Sequence, residues 1–307
     1  MTLVLLARRA MNTRFELVLY GAREAALRAA GEEALEEIEH LEAQLSLFRP
    51  TSEIARLNRD AARVPVKVSP PVFRLLERAR ALWVLSGGAF DPTIGPLMRL
   101  WGFRDREPAE PSAAALAEAR ARVGMDKVEL DPDNFTVRFK CPGLELDLGA
   151  IGKGYAVDCA VQILREAGVT SGLIHGGTSS VYGLGQMPDG RPWKVAVPPP
   201  AEAPHPDNTA PASATADGPA LAEFTLRDTS LGVSAVSGRV VQAGGRFRGH
   251  VLDPRTGEPV QRAHLAAVVL PEALESDALS TALLVLGRDG LARLEPHRPG
   301  WQALVWP

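Results

Sequence analysis

Asp147-Leu-Gly-Ala-Ile-Gly-Lys-Gly154 joins two segments of different periodicity. Before it, Leu144 and Leu146 alternate with Glu145 and Asp147, a period of two that predicts a strand reaching its end. After it, Val157, Val161 and Leu164 have helical spacing, which predicts a helix over 155–164. Gly149, Gly152 and Gly154 fill the junction. A helix start leaves backbone N–H groups unpaired, its dipole is positive, and Lys153 adds a full charge, so anionic oxygens would be welcome there. Glycine lets a ligand approach the backbone because no Cβ intervenes. The order is G-x-x-G-x-G, which is not the dinucleotide fingerprint, and no Ser or Thr follows the lysine as in a P-loop. On these residues alone, a plain strand-to-helix turn with a surface lysine is the simpler reading.

Working outward, the unit is not repeated as a regular strand–helix alternation, which predicts an α+β fold and not a doubly wound sheet. Towards the N-terminus, 3–6 and 14–20 read as strands around Met11-Asn-Thr13, with Asn12 serving a turn. A strong amphipathic helix covers 23–45, with Leu27, Ala34, Ile38, Leu41 and Leu45 on one side and glutamates over much of the rest. Thr51 or Ser52 caps a short helix after Pro50. A strand over 64–68 and a helix over 72–85 lead into the 86–102 loop, whose glycines and prolines rule out one regular element. A helix over 112–123 and a hairpin around Asp131-Pro-Asp-Asn134 complete this half.

Beyond the glycine turn and its helix, strands are predicted at 171–175, 192–197, 221–227, 233–241, 266–270 and 302–306, with a turn at 244–247 and a helix from Glu275 to about Leu286. Residues 198–220 are Pro- and Ala-rich with almost no large apolar side chain; such a segment cannot offset its ordering entropy by burial and is expected to be a flexible insertion. The chain is otherwise expected to form a single unit over 1–307.

Composition narrows the class. The 307 residues are 46% hydrophobic and 23% charged, in the range of globular proteins with an ample core. A net charge of −3 does not indicate a nucleic-acid-binding surface. Cys141 and Cys159 form no C-x-x-C, so buried free thiols are expected. No apolar run is long enough to cross a membrane. The apolar residues 3–6 precede Arg8 and Arg9 and are too short for a signal peptide, so a cytoplasmic location is expected for the sequence as it stands, or an exported, periplasmic one if a signal has been removed.

Three places carry candidate chemistry besides the glycine turn. Asp277 and Thr281 are four apart on one helix face, where a carboxylate and a hydroxyl can offer hard oxygen ligands to Mg²⁺. The structural alternative is that Asp277 is simply a helix N-terminal carboxylate favoured by the dipole. His250 stands close to Asp253, Pro254, Arg255 and Gly257, and histidine is the usual general base near neutral pH; a lone loop histidine is more often structural. Phe48 is either core, the better reading by base rate, or a ring offered to a ligand. No G-x-S-x-G and no H-E-x-x-H occurs, so hydrolase and zinc-protease readings lack support.

Seven pieces taken in order resemble the ApbE family of FAD:protein FMN transferases: Met11-Asn-Thr13; Ser46-Leu-Phe-Arg-Pro-Thr-Ser-Glu53 with Leu57-Asn58; Gly87-Gly-Ala-Phe-Asp-Pro-Thr93; Asp147 to Gly154; Gly176-Gly177; His250-Val-Leu-Asp-Pro-Arg-Thr-Gly257; and Ser276-Asp-Ala-Leu-Ser-Thr281. The resemblance runs from Met11 to about Gly287. It implies mixed sheets packed with helices and an FAD cleft between two subregions. It also implies an enzyme that cleaves the pyrophosphate of FAD with Mg²⁺, attaches FMN to a Thr or Ser of an acceptor protein, and releases AMP. Carried over to matching positions, Met11, Phe48, Ala89 and Phe90 would contact FAD, as would Asp91, Asp147, Lys153 and Leu252. Asp277, Thr281, Ser280 and the carbonyl of Ala150 would hold the metal, and His250 would activate the acceptor hydroxyl.

Departures from the family pattern are Asn12 where Gly is usual, Phe48 where Tyr is usual, Thr178 after Gly176-Gly177 where an acidic or amide residue is common, and Arg239 after Ser237-Gly238 where Asp, Asn or Ser is typical. The insertion is longer than usual, and the lipoprotein cysteine of exported members is absent near the N-terminus. Two alternatives are an FAD pyrophosphatase giving FMN and AMP, which the same site could also be, and a flavin-binding or delivery protein without catalysis, against which the intact Asp277, Thr281 and His250 argue.

Overall fold

The computed structural model describes residues 1–104, 107–200, 220–237, 240–243 and 246–307. The chain opens with a hairpin of β1 (Thr2–Ala10) and β2 (Thr13–Gly21), paired without a break from Ala10↔Thr13 to Thr2↔Gly21. Only Met11 and Asn12 remain for the turn, at φ 49° and 58°. Two left-handed residues make the turn whose twist matches that of the flanking strands. Asn tolerates this conformation nearly as Gly does, so Asn12 suits the turn; Met11 does not favour it and packs partly buried against the core.

Next come α1 (Glu24–Leu45), α2 (Glu53–Asp60), β3 (Val66–Lys67), α3 (Pro70–Ser86), α4 (Gly95–Leu100), α5 (Ala113–Arg120), β4 (Val128–Asp131) and β5 (Thr136–Phe139). The apolar stripe of α1 read from the sequence is buried. Ser52 is the cap of α2, accepting from the backbone N–H of Ala55 at 2.9 Å. The 86–102 loop contains one short helix, α4, between irregular turns. β4 and β5, which follow it, join β3, which precedes it, in a small three-stranded sheet of order β3-β5-β4.

The second half supplies α6 (Gly152–Glu166), β6 (Ser171–Gly176), β7 (Ser180–Gly185), β8 (Trp193–Val197), β9 (Ala222–Leu226), β10 (Thr229–Ala235), β11 (Val240–Ala243), β12 (Arg246–Gly249), β13 (Leu265–Leu270), α7 (Ala273–Leu286), α8 (Asp289–Leu294) and β14 (Gln302–Trp306). Seven strands join in the order β1-β2-β6-β7-β10-β13-β14, antiparallel throughout. α1, α6 and α7 pack against this sheet. On the other face, Trp193, Phe224 and Leu226 of the β8–β9 pair form a second core with Val181, Leu231 and Leu265. β13 lies between both layers. Its six residues, Leu-Ala-Ala-Val-Val-Leu, are therefore all buried and show no polar alternation. Helices and antiparallel sheets in this arrangement make an α+β fold.

Several sequence expectations change. The 144–147 segment is not a strand: its one pairing is an isolated parallel bridge between Glu145 and Ile94. Its backbone is satisfied elsewhere, by the Asn58 side chain at Leu146 (2.7 Å to the N–H, 3.0 Å to the carbonyl) and by Pro92 O at the N–H of Asp147. The strand expected over 233–241 is two elements, β10 and β11, and the turn expected at 244–247 gives way at Arg246 and Phe247, which pair with Ala243 and Gln242. β7 escaped the sequence reading because its Ser-Val-Tyr-Gly-Leu-Gly, buried on nearly every residue, does not alternate. Residues 201–219 of the insertion, and Arg239, lie outside the described residues.

Candidate active site

A cavity of about 770 Å³ opens between the glycine turn, α7 and the loops that face them. Its wall includes Phe48, Ala89, Phe90, Asp91, Asp147 and Ala150. Lys153, His250, Leu252, Asp277 and Thr281 complete the set of expected residues found on it. Met11 and Ser280 are not on the wall; Asn12 is, at the tip of the first hairpin.

The metal candidates on α7 face the start of α6, where the two helices approach closely. Asp277, 2% exposed, accepts the backbone N–H of Gly154 through Oδ2 at 3.0 Å. Gly154 is required there, because a Cβ would lie 2.2 Å from Ala273 O and 2.8 Å from Asp277 Cβ. The carboxylate thus sits in the second turn of its own helix and stabilises the N-terminus of another, which corrects the reading of Asp277 as a first-turn residue of α7. Asp158 of α6 reciprocates: its two oxygens accept the N–H groups of Ala273 and Leu274, the first residues of α7, at 2.7 and 2.8 Å. Burial pushes the Asp158 carboxyl up to about 6 against the pull of these two bonds.

β10 holds α7 from the other side. Ser230 Oγ lies 2.8 Å from Ser276 Oγ, and Ser234 Oγ lies 2.9 Å from Ser280 Oγ and 3.0 Å from Thr281 Oγ1. Strand residues four apart share a face, as do helix residues four apart, so one pair of hydroxyls lies directly above the other. Ser280, fully buried, also donates to Asp277 O at 2.9 Å. Its hydroxyl is committed to this seam, whereas Thr281 and Ser234 reach the cavity. Ser234 was not singled out in the sequence, where a serine in a strand carries no signal without its helix partner.

The donor set suits a hard divalent cation. Asp277 is buried, and among the described residues no Lys or Arg forms an ion pair with it. A buried carboxylate on a cavity wall calls for a counter-charge. The Thr281 hydroxyl and the Ala150 carbonyl are oxygen donors of the kind Mg²⁺ accepts, and Mg²⁺ needs few protein carboxylates when phosphate and water complete its shell.

Lys153 lines the cavity and donates to Gly149 O at 3.1 Å. Asp147 arrives already engaged: Oδ1 accepts from Gly149 N at 2.8 Å and Oδ2 from Arg104 Nη2 at 2.5 Å. Arg104, which also contacts Glu145 at 3.1 Å, lines the cavity and was missed in the sequence, where it looked like one more loop charge. Asp91 Oδ1 accepts from Thr93 N (2.8 Å) and Thr93 Oγ1 (2.6 Å), and that hydroxyl accepts from Gly124 N. Burial pushes the Asp91 carboxyl up to about 6, opposed by the Thr93 bonds and the charge of Lys127.

Phe48 is 57% exposed, which overturns the core reading; it stands in the turn between α1 and α2, on the cavity wall. Ala89 and Phe90 are buried and shape the wall from beneath. His250 is half-buried and begins a loop that closes on itself: Asp253 N donates to Glu258 O, Gly257 N to Asp253 O, and Trp101 Nε1 pins Gly257 O at 2.8 Å. Asp253 does not line the cavity, and both its oxygens accept from Arg255. A second imidazole, His175 of β6, also lines the cavity; its pKa is lowered by burial, opposed by the nearby charge of Glu16.

The ApbE family's sequence model matches residues 11–305. The FAD:protein FMN transferase of Treponema pallidum is 32% identical over 309 residues, covering 96% of this chain and 82% of that protein. The FAD:protein FMN transferase of Haemophilus influenzae is 30% identical over 274 residues, 85% of this chain and 75% of that one. Among solved structures, the ApbE protein of Thermotoga maritima superposes with a TM-score of 0.85 at 27% identity, covering 99% of this chain and 94% of that one. The flavinyl transferase ApbE of Pseudomonas stutzeri, in its apo form, gives 0.80 at 28% identity, covering 99% and 90%. With the seven motifs inside the matched span, and Asn12, Asp91, Asp147, Lys153, His250, Asp277 and Thr281 from five of them on one cavity, the chain belongs to the ApbE family.

Proposed function

We propose that this protein is an FAD:protein FMN transferase: it binds FAD in the 770 Å³ cavity, transfers FMN to a Thr or Ser hydroxyl of an acceptor protein, and releases AMP. The observation that carries this reading is the buried Asp277, on the cavity wall and without a protein counter-cation among the described residues, close to the start of α6. A pyrophosphate needs positive charge on its oxygens and a fixed geometry more than covalent help.

In this reading Asp277, Thr281 and the Ala150 carbonyl hold Mg²⁺, which supplies charge neutralisation at the pyrophosphate. Lys153 adds its own charge from the first turn of α6. Phe48 presents a ring face on which a flavin or adenine stacks. His250 accepts the proton of the acceptor hydroxyl as that oxygen bonds to the FMN phosphorus. The bond from phosphorus to the bridging oxygen breaks, and AMP leaves with that oxygen.

The test is to incubate the purified protein with FAD and Mg²⁺, with and without a Thr-bearing acceptor peptide, and to follow AMP and peptide mass. AMP release together with flavinylated peptide supports transfer. AMP released equally without peptide, and no peptide product, marks a pyrophosphatase. No AMP in either case leaves a binding protein.

A further inference from the structure

We propose that Asp158, which does not line the cavity, is the positioning residue that sets Asp277 against the first turn of α6. The inference rests on the proposed function only for the identity of the ligand that Asp277 serves. Moving from Gly154 to Asp158 along α6 moves back from Asp277 to Ala273 along α7, so the helices pass in opposite directions at this contact. Three bonds tie them: Gly154 N to Asp277, and Ala273 N and Leu274 N to Asp158.

The N-terminus of α7 has no side-chain cap from its own preceding residue, Glu272. Asp158 supplies both acceptors in its place, with a negative charge at the positive end of the helix. The nearly touching backbones at Gly154 leave no slack, so a shift or fraying of the first turn of α7 carries Asp277 away from Gly154. The serine pairs to β10 fix the opposite side of α7 and leave Asp158 as the partner that fixes it relative to α6.

The experiment compares parent, Asp158→Ala, Asp158→Asn and Leu164→Ala. Leu164 is a buried α6 residue off the cavity and serves as a control for general loss of stability. Two readouts are taken: amide hydrogen exchange at Gly154, and the Mg²⁺ concentration that half-maximally strengthens FAD binding. Asp158→Ala is expected to lose protection at Gly154, although Asp158 does not touch that amide, and to raise the Mg²⁺ midpoint about tenfold, the scale of a lost cap. Asp158→Asn keeps one strong acceptor and should show a shift of roughly threefold. Leu164→Ala should move neither readout. Where Asp158→Ala does not fold, the Asn variant decides.

Unchanged Gly154 exchange in a folded Asp158 variant, or an equal effect from Leu164→Ala, would overturn the proposal. A parent protein whose FAD binding ignores Mg²⁺ would instead overturn the metal reading, while the exchange measurement would still decide the role of Asp158.

Discussion

Arg104 Nη2 stands 2.5 Å from Asp147 Oδ2, with only 3% of the arginine side chain exposed. The carboxylate of the organising stretch therefore meets the cavity as half of an ion pair, and a ligand there encounters guanidinium and carboxylate together. Removing one member of a buried pair leaves the other charged and unsatisfied. Arg104→Met is expected to destabilise the protein by about 3–5 kcal/mol in urea unfolding, and adding Asp147→Asn should recover part of it. Loss of less than about 1 kcal/mol would show that water reaches the pair and screens it.

The contact of Gly154 with Ala273 and Asp277 gives a sharper contrast between two glycines of the same turn. Gly154→Ala places a methyl 2.2 Å from a backbone oxygen, and backbone cannot step aside cheaply. A cost of about 1–3 kcal/mol and weaker Mg²⁺-dependent FAD binding are expected. Gly152→Ala meets nothing nearer than Leu148 Cβ at 3.9 Å and should leave the midpoint of unfolding within error. Equal tolerance of both would mean that α7 is free to move.

That difference also shows what the sequence could reveal. Local residue patterns revealed α1, α3 and α7, and the glycine spacing revealed the turn before α6. Ser234, Arg104 and Asp158 were not legible. Their meaning lies in partners 43 to 115 residues away, Asp147 for Arg104, Ser280 for Ser234 and Ala273 for Asp158. The 144–147 segment looked like a strand because alternation reports which side chains are buried; it does not report whether a ladder or an Asn58 side chain takes the backbone bonds. Phe48 was misjudged by base rate, since hydrophobic residues are usually buried and nothing local says that a cavity lies in front of it.

Asp91 gives the pH dependence its sign. Its carboxyl is raised to about 6 from the ordinary 3.8, chiefly by burial. Between these values the folded state holds more protons than the unfolded one, so the contribution of Asp91 to stability falls as pH rises through this window and is level above it. Asn at this position can still accept from Thr93. Asp91→Asn should therefore gain on the parent as pH rises from 4 to 7, by on the order of 3 kcal/mol at most. Asp158 titrates in the same window, and the difference between parent and variant isolates Asp91. A gap that stays constant with pH would show that Asp91 is not the group responsible.

Asp277→Ala removes the only side-chain carboxylate proposed for the metal. FAD binding is expected to persist through the other walls of the cavity but to lose its response to Mg²⁺. Fluorescence titration of FAD at several Mg²⁺ concentrations measures this directly. An unchanged response would place the metal elsewhere.

His250 separates binding from transfer. It lines the cavity at the start of a loop pinned by Trp101, and the bonds that join α6, α7 and β10 around Asp277 are made by Gly154, Asp158 and the serines of β10. A Thr hydroxyl is a poor nucleophile near neutral pH, and a positioned base typically contributes about 10²–10⁴-fold. His250→Ala should thus keep FAD affinity and its Mg²⁺ response close to those of the parent while transfer to the acceptor slows by about that factor. The deficit should shrink as pH rises, because hydroxide replaces part of the missing base. FAD affinity and transfer rate are measured separately across roughly pH 6–9, a span around the ordinary histidine value. Loss of FAD binding would make His250 a ligand contact. An unchanged rate would move the base to another residue, and His175, the second imidazole on the same cavity, is then the one to replace, since Asp253 is held off the wall by Arg255.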